Sequence, residues 1–269
     1  MTAQIIKATS REYHAAKASP ANLQGAVGKS LLWKFNESPF KWRYGKPKPT
    51  TESMRLGSLV HTLALTPTEF TESYAVSPYD SFRTNESKAW RQEQEDAGKS
   101  VITQAMLDQA ASIAECITDT DTLHYIGERQ YEVAVVANFH GTQVRGMIDI
   151  APTYGNMLVD LKTTSSIESL DALTRLVYNR GYDWQAAMYL DLWNAATGEE
   201  RDEFQFLFIE VDDPHETAIV TLSPDVIADG RTGYMNALMR WNECIRKNHF
   251  PKAVEGIQTI EKPHWKTKP

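Results

Sequence analysis

Two aspartates and a lysine, close together in one short stretch, are the residues here best suited to chemistry. In Gly141–Thr164, GTQVRGMIDIAPTYGNMLVDLKTT, Gln143–Ile150 reads as a strand and Ala151–Asn156 supplies the proline and glycine of a turn. Met157–Lys162 reads as a second, short and apolar strand. Asp149 stands near the end of the first strand and Asp160 in the second. Residues two apart in a strand share a face, so Asp160 and Lys162 project together while Leu161 faces the core. Two carboxylates joined by a hairpin suit a hard divalent cation, which takes oxygen ligands and keeps several waters. A lysine beside them can orient or help deprotonate a water, or stabilise developing negative charge. A surface hairpin whose aspartates and lysine only solubilise it fits the same residues, so the rest of the chain must decide.

The 269 residues, 42% of them hydrophobic, suffice for one sizeable core. No apolar run reaches the roughly 20 residues of a membrane span. The opening MTAQIIKATSREYHAAKAS lacks the long apolar stretch of a signal peptide, and the expectation is a cytoplasmic protein. Cys116 and Cys244 are the only cysteines. They lie far apart on expected helices, which suits a reducing compartment and excludes a zinc ribbon or disulfide scaffold. A net charge of −7 argues against a wholly basic nucleic-acid binder and leaves room for a local basic groove.

The elements that must position these residues follow from pattern. Residues 1–50 read as irregular, then basic and aromatic. Ser30–Asn36 is expected to be a short helix with a serine cap, ended by Ser38-Pro39. Lys34, Lys41, Arg43, Lys46 and Lys48 interleave with Trp33, Phe35, Phe40, Trp42 and Tyr44. That mix can stack bases and hold phosphates, or turn its rings inward and leave its cations solvated. The run Gly25–Ser30, GAVGKS, invites a phosphate-loop reading. Leu23 stands where the first glycine is needed, and Ser19-Pro20-Ala21-Asn22 supplies no strand, so it is rejected.

Glu52–Leu65 has apolar residues at helical spacing, with Gly57 allowing close backbone approach and His61 one turn beyond it. A histidine on such a helix is more often a packed or surface residue than a ligand. Ser77–Lys99 reads as a polar loop leading into a charged helix, and Thr103 can cap a helix over Gln104–Ile117. From Gln130, YEVAVVANF opens a β region. Helices over Leu170–Tyr178 and Tyr182–Ala196 meet around Gly181, the second setting Gln185 and Tyr189 on one face. Strands over Phe204–Val211 and Thr217–Leu222 precede a long amphipathic helix from Pro224 to about Lys247. The last residues, EKPHWKTKP, read as a basic, mobile tail. There is no repeat and no clear boundary. The expectation is one domain over 1–269, with a basic-aromatic segment at 1–50, a catalytic sheet core at 130–222 and a basic tail at 249–269.

In order, the chain offers GSLVH ending at His61, Glu132 on a strand, Asp149 in RGMIDI, Asp160 and Lys162 in VDLKTT, and Gln185 with Tyr189 in QAAMY. This resembles the PD-(D/E)XK nuclease superfamily, specifically its RecB-like branch with helical G-x-x-x-H, a G-x-x-D strand, a D-x-K strand and a Q-x-x-x-Y helix. Ser30–Tyr44, SLLWKFNESPFKWRY, is similar to the opening of RecE-type exonucleases. The resemblance implies an α/β fold: a mixed central β-sheet flanked by helices, its metal site at one end of the central strands. It implies that Asp149 and Asp160 bind Mg²⁺ together with His61 and the Leu161 carbonyl, and that Mn²⁺ can substitute. Lys162 would position the water or stabilise the transition state, and Gln185 and Tyr189 would buttress the site or touch DNA backbone. The second acidic position is Asp160 where glutamate is usual. Glu132 either lies near the metal or flanks the sheet. Arg145, four positions before Asp149, either meets a phosphate or is a solvated strand residue. RecE-type enzymes resect linear duplex DNA ends 5′ to 3′, release mononucleotides and leave 3′ overhangs. They form ring tetramers and work with a RecT-type single-strand annealing protein. A homo-oligomer, a DNA-end substrate and such a partner are thus implied here.

Three rivals share the core. An endonuclease would cut circular DNA, which an exonuclease spares. A Cas4-like nuclease needs four cysteine ligands for its iron–sulfur cluster, and two cysteines cannot supply them. A non-cleaving DNA-binding phage protein on the same fold would have no use for an intact Asp149, Asp160 and Lys162.

Overall fold

Alternating runs rich in β-branched residues build one sheet around which the helices are arranged. The computed structural model describes residues 3–14, 25–47, 49–119 and 126–263. Lys48, the Ser19–Leu23 stretch and residues 264–269 of the basic tail lie outside the described residues. The strands are β1 (Gln4–Ile6), β2 (Val27–Gly28), β3 (Tyr74–Val76), β4 (Ser100–Ile102), β5 (Arg129–Phe139), β6 (Thr142–Pro152), β7 (Met157–Thr164), β8 (Glu203–Glu210) and β9 (Thr217–Thr221). The helices are α1 (Ser10–His14), α2 (Lys29–Glu37), α3 (Pro39–Tyr44), α4 (Glu52–Leu65), α5 (Phe70–Ser73), α6 (Asn85–Asp96), α7 (Gln104–Asp119), α8 (Leu170–Arg180), α9 (Tyr182–Thr197) and α10 (Pro224–Lys247).

The main sheet runs β1-β5-β6-β7-β8-β9, with β2 beside β6. The β5–β6 and β6–β7 pairs are antiparallel, and β7–β8 is parallel. A parallel pair needs a long crossover, and α8 and α9 supply it. On one face α2, α9 and α10 pack over Ile148, Phe204, Phe206 and Phe208. On the other, α4 and α7 pack over Ile150, Leu161, Leu207 and Ile209. The chain therefore has the mixed α/β architecture that the resemblance implies.

The two long strands break their own alternation at one level. Ile148 belongs to the first core and Ile150 to the second, although residues two apart in a regular strand share a face. Across the ladder, Val133 packs in the first core and Tyr131 against the second. Tyr131 pairs with Ile150 and Val133 with Ile148, so Glu132 and Asp149 stand opposite each other where the faces exchange. Glu132 has φ 49°, a left-handed conformation that is uncommon for a side-chain-bearing residue.

Three expectations need correction. Ser30 caps nothing: α2 begins at Lys29, and Gly28 precedes it without a side-chain cap. The cause is β2, which pairs with β6 and holds the backbone extended up to Gly28. That strand lies inside GAVGKS, where a phosphate loop would have to turn, so the rejection of that loop stands. The segment read as irregular contains β1, α1, β2 and α3, all too short to display a period. Ser38 both ends α2 and caps α3, its Oγ accepting from the Lys41 N–H at 3.2 Å. Finally, β6 continues through Ala151 and Pro152, and the turn is confined to the residues after them.

Candidate active site

β6 and β7 pair at Ile150 and Val159, which sets Asp149 across the ladder from Asp160. Both carboxylates are buried, and burial is tolerated only when each oxygen finds a donor. The Leu161 N–H donates to Asp149 Oδ2 at 2.9 Å. Asp160 accepts from Lys162 Nζ through Oδ1 and from Gln185 Nε2 through Oδ2. Lys162 therefore lies on the same strand face as Asp160, with its ammonium 5.1 Å from the Tyr182 ring centre. Leu161 points into the second core.

His61 arrives from α4. That helix lies close against β7: a Cβ on Gly57 would stand 3.2 Å from Thr163 Oγ1, so the glycine permits the approach. His61 Nδ1 is 3.4 Å from Asp149 Oδ2 and 3.7 Å from Glu132 Oε1. One donor atom from each of His61, Glu132 and Asp149 lies within 4.8 Å of the others. Donors about 2.1 Å from one small cation stand about 3 to 4 Å apart, so these three form a possible metal-binding group. Asp160 is not one of the three; its oxygens face Lys162 and Gln185. Leu161 meets the site through its N–H.

Charge in this pocket is strongly coupled. Burial disfavours the His61 cation, but the Asp149 charge and the Glu132 hydrogen bond and charge outweigh it and lift His61 to about 9. Burial, reinforced by Asp149, raises Asp160 to about 6 against the pull of Lys162 and His61. Asp149 is also pushed up by burial, opposed by His61. Lys162 loses hydration on burial, yet Asp160 and Asp149 more than offset this and hold it protonated. His61 thus holds its proton between Asp149 and Glu132, where a divalent cation would satisfy the same oxygens.

A metal that takes the imidazole nitrogen must displace that proton. Calorimetric titration of Mn²⁺ at pH 7.5, in buffers of different protonation enthalpy, is expected to show about one proton released per ion. Affinity should climb with pH towards 9 and level off above it. His61→Ala should abolish most of the proton release and weaken binding. Wild-type binding without proton release would leave His61 as a packing residue.

Gln185 and Tyr189 divide their tasks. Gln185 holds Asp160 directly, whereas the Tyr189 hydroxyl is hydrogen-bonded to the Met147 backbone. The Tyr189 ring lies so close to β6 that a Cβ on Gly146 would be 2.9 Å from its Cε1. The glycine of R-G-M-I-D and the tyrosine of Q-A-A-M-Y are therefore one contact. Arg145 turns to α1, donating to the Tyr13 carbonyl at 3.0 Å with its guanidinium 4.7 Å from the Tyr13 ring centre. Lys29 was not among the residues singled out by pattern. Its ammonium lies 5.2 Å from the same Tyr182 ring that flanks Lys162 and donates to the Arg180 carbonyl. Burial, aided by the Lys162 charge, lowers Lys29 to about 7. Lys29 falls in the rejected GAVGKS run, and no periodicity or motif assigns it or Tyr182 to this site.

A mixed sheet carrying facing aspartates, a D-x-K strand and a helical histidine defines the PD-(D/E)XK nuclease fold. Residues 31–263 match the family described as PDDEXK-like domain of unknown function (DUF3799), and the chain belongs to that family. A candidate exonuclease from Eubacterium rectale shares the fold at a TM-score of 0.64 and 15% identity, over 96% of each chain. A phage-related exonuclease from Haemophilus somnus 129PT aligns at a TM-score of 0.36 and 18% identity, over 83% of this chain and 96% of that one. No curated protein matches the sequence. Among the described residues, no helix is long and apolar enough to cross a membrane.

Proposed function

We propose that this protein is a metal-dependent exonuclease acting on the ends of linear duplex DNA. The observation that carries the proposal is the convergence of His61, Glu132 and Asp149 beside the Asp160–Lys162 pair. His61, Glu132 and Asp149 would hold Mg²⁺ or Mn²⁺, with Asp160 and the Leu161 carbonyl completing the set. The bound ion supplies charge neutralisation at phosphorus and a more acidic water. Lys162, protonated and fixed by Asp160, donates to the attacking water or to the phosphoryl oxygens as their charge grows. Gln185 keeps Asp160 turned towards Lys162. Tyr189, locked against Gly146, fixes the helix that carries Gln185. An imidazole nitrogen among oxygen donors suits a transition metal better than Mg²⁺, so Mn²⁺ should serve well.

Attack from 5′ ends, 3′ overhangs for annealing-type recombination, a ring tetramer and a RecT-type partner are supported by the RecE-type resemblance of the motifs. Matched linear and covalently closed duplexes test the core of the proposal. With Mg²⁺ or Mn²⁺ the linear DNA should be degraded and the closed circle spared, Ca²⁺ should support binding without turnover, and EDTA should stop the reaction. Cutting of the circle would indicate an endonuclease. Binding with no cleavage under any metal would indicate a non-cleaving DNA-binding protein. End-labelled strands read the polarity, and a monomeric mass by light scattering at micromolar concentration would remove the ring.

A further inference from the structure

The basic-aromatic segment divides its rings between two environments. Phe35 is fully buried, and Trp42 packs against Trp241 at 4.5 Å and against Phe35 at 5.8 Å. Phe40 and Tyr44 turn the other way. With His249, Phe250, Lys252 and Glu255 they line a cleft of about 540 Å³ between α3 and the chain leaving α10. This is within the range of about 300 to 1,000 Å³ typical of small-ligand sites. The Phe40 and Tyr44 ring centres are 4.9 Å apart, and Tyr44 is 62% exposed. Cations lie over two of the lining rings, Arg43 5.6 Å from the centre of Phe250 and Lys252 5.2 Å from that of Phe40. Lys41, Lys46 and His249 are exposed close by in sequence. The lining acid, Glu255, accepts the Lys252 N–H at 3.2 Å.

We infer that this cleft is a stacking site for an unpaired nucleotide of single-stranded nucleic acid. An aromatic face open to solvent and edged by cations matches a base with its phosphates: the ring stacks and the charges meet the backbone. A purely apolar occupant would desolvate Arg43 and Lys252 without return. The position suits the strand that resection leaves unpaired. α2 starts at Lys29, beside the Tyr182 ring of the candidate active site, and its nine residues span about 13 Å before α3 begins. A few nucleotides cover that distance. The identity of the strand rests on the proposed nuclease function; the stacking site itself does not.

The test is fluorescence anisotropy with a labelled twelve-nucleotide oligothymidylate in EDTA, where no cleavage occurs, alongside duplex cleavage by the wild type in Mg²⁺. Tyr44→Ala is expected to weaken oligonucleotide binding by about fivefold to a hundredfold, and Tyr44→Phe to keep it within about twofold. Arg43→Gln should reduce the slope of log affinity against log salt by about 0.7. Tyr44 is exposed, so both substitutions should leave the melting curve unchanged. Wild-type affinity in Tyr44→Ala, equal loss in Tyr44→Phe, or no binding by the wild type would overturn the inference. Oligonucleotide binding without duplex cleavage would overturn only the proposed nuclease.

Discussion

Replacing Lys162 with alanine lowers the single-turnover rate of duplex cleavage by about two orders of magnitude or more at saturating metal and DNA. Lys162 is protonated, partly buried and fixed by Asp160, so its charge is aimed before the reaction begins. Such a donor contributes mainly as charge develops, and its loss should leave DNA affinity nearly intact. The ion pair adds a second effect. Lys162 is one of the groups that pull Asp160 down, and burial already holds that carboxyl near 6. Without the lysine Asp160 rises further in the metal-free protein. In metal-free Lys162→Ala the Asp160 carboxyl should therefore titrate higher than in the wild type, a shift that NMR titration reads. Rates within a few-fold of wild type at pH 8.5 would leave the catalytic role of Lys162 unsupported.

The Lys162–Asp160 pair is legible in the sequence because it depends only on the period of a strand. Long, capped elements are legible for a similar reason. Glu52–Leu65 and Pro224–Lys247 are read with their observed bounds, and Thr51 and Ser223 each accept a hydrogen bond at the helix start. His61 is harder. Its spacing cannot separate a ligand from a packed histidine, since only tertiary contact brings α4 to β6; the order of motifs points to it instead. Lys29 and Tyr182 escape because they meet through packing alone. The basic-aromatic segment supports two readings from sequence, and each holds for part of it: Phe35 and Trp42 are inside, Phe40 and Tyr44 line an open cleft. Glu132 is named by the order of motifs, but its role stays open in the sequence for a sharper reason. In YEVAVVANF the two-residue period assigns it the face of Ala134, and nothing in the string signals a left-handed residue or an exchange of faces.

That exchange leads to the last expected result: Glu132→Gln should weaken metal binding by about tenfold or more and lower cleavage at limiting Mg²⁺ by about two orders of magnitude. Glutamine keeps the size of the side chain and makes the same demand on the backbone, so the substitution removes charge alone. Glu132 stands opposite Asp149 at φ 49°. Non-glycine residues hold such conformations where their surroundings over-determine them, often at functional sites. Its carboxylate is one of the two that raise His61 to about 9, so in the variant His61 should titrate lower. The sign for stability follows. A histidine raised from 6.5 to about 9 by folding stabilises the protein fully below 6.5, and the contribution is lost as pH rises through 9. Metal-free Glu132→Gln should therefore melt below the wild type at pH 6, and the gap should close by pH 10, where the charge at position 132 only repels Asp149. High Mn²⁺ should restore part of the activity, because Asp149 and His61 remain. A carboxylate that merely flanks the sheet predicts otherwise: unchanged metal affinity and a melting difference independent of pH. Metal titration and melting curves across that pH range, on one variant, separate a ligand from a bystander.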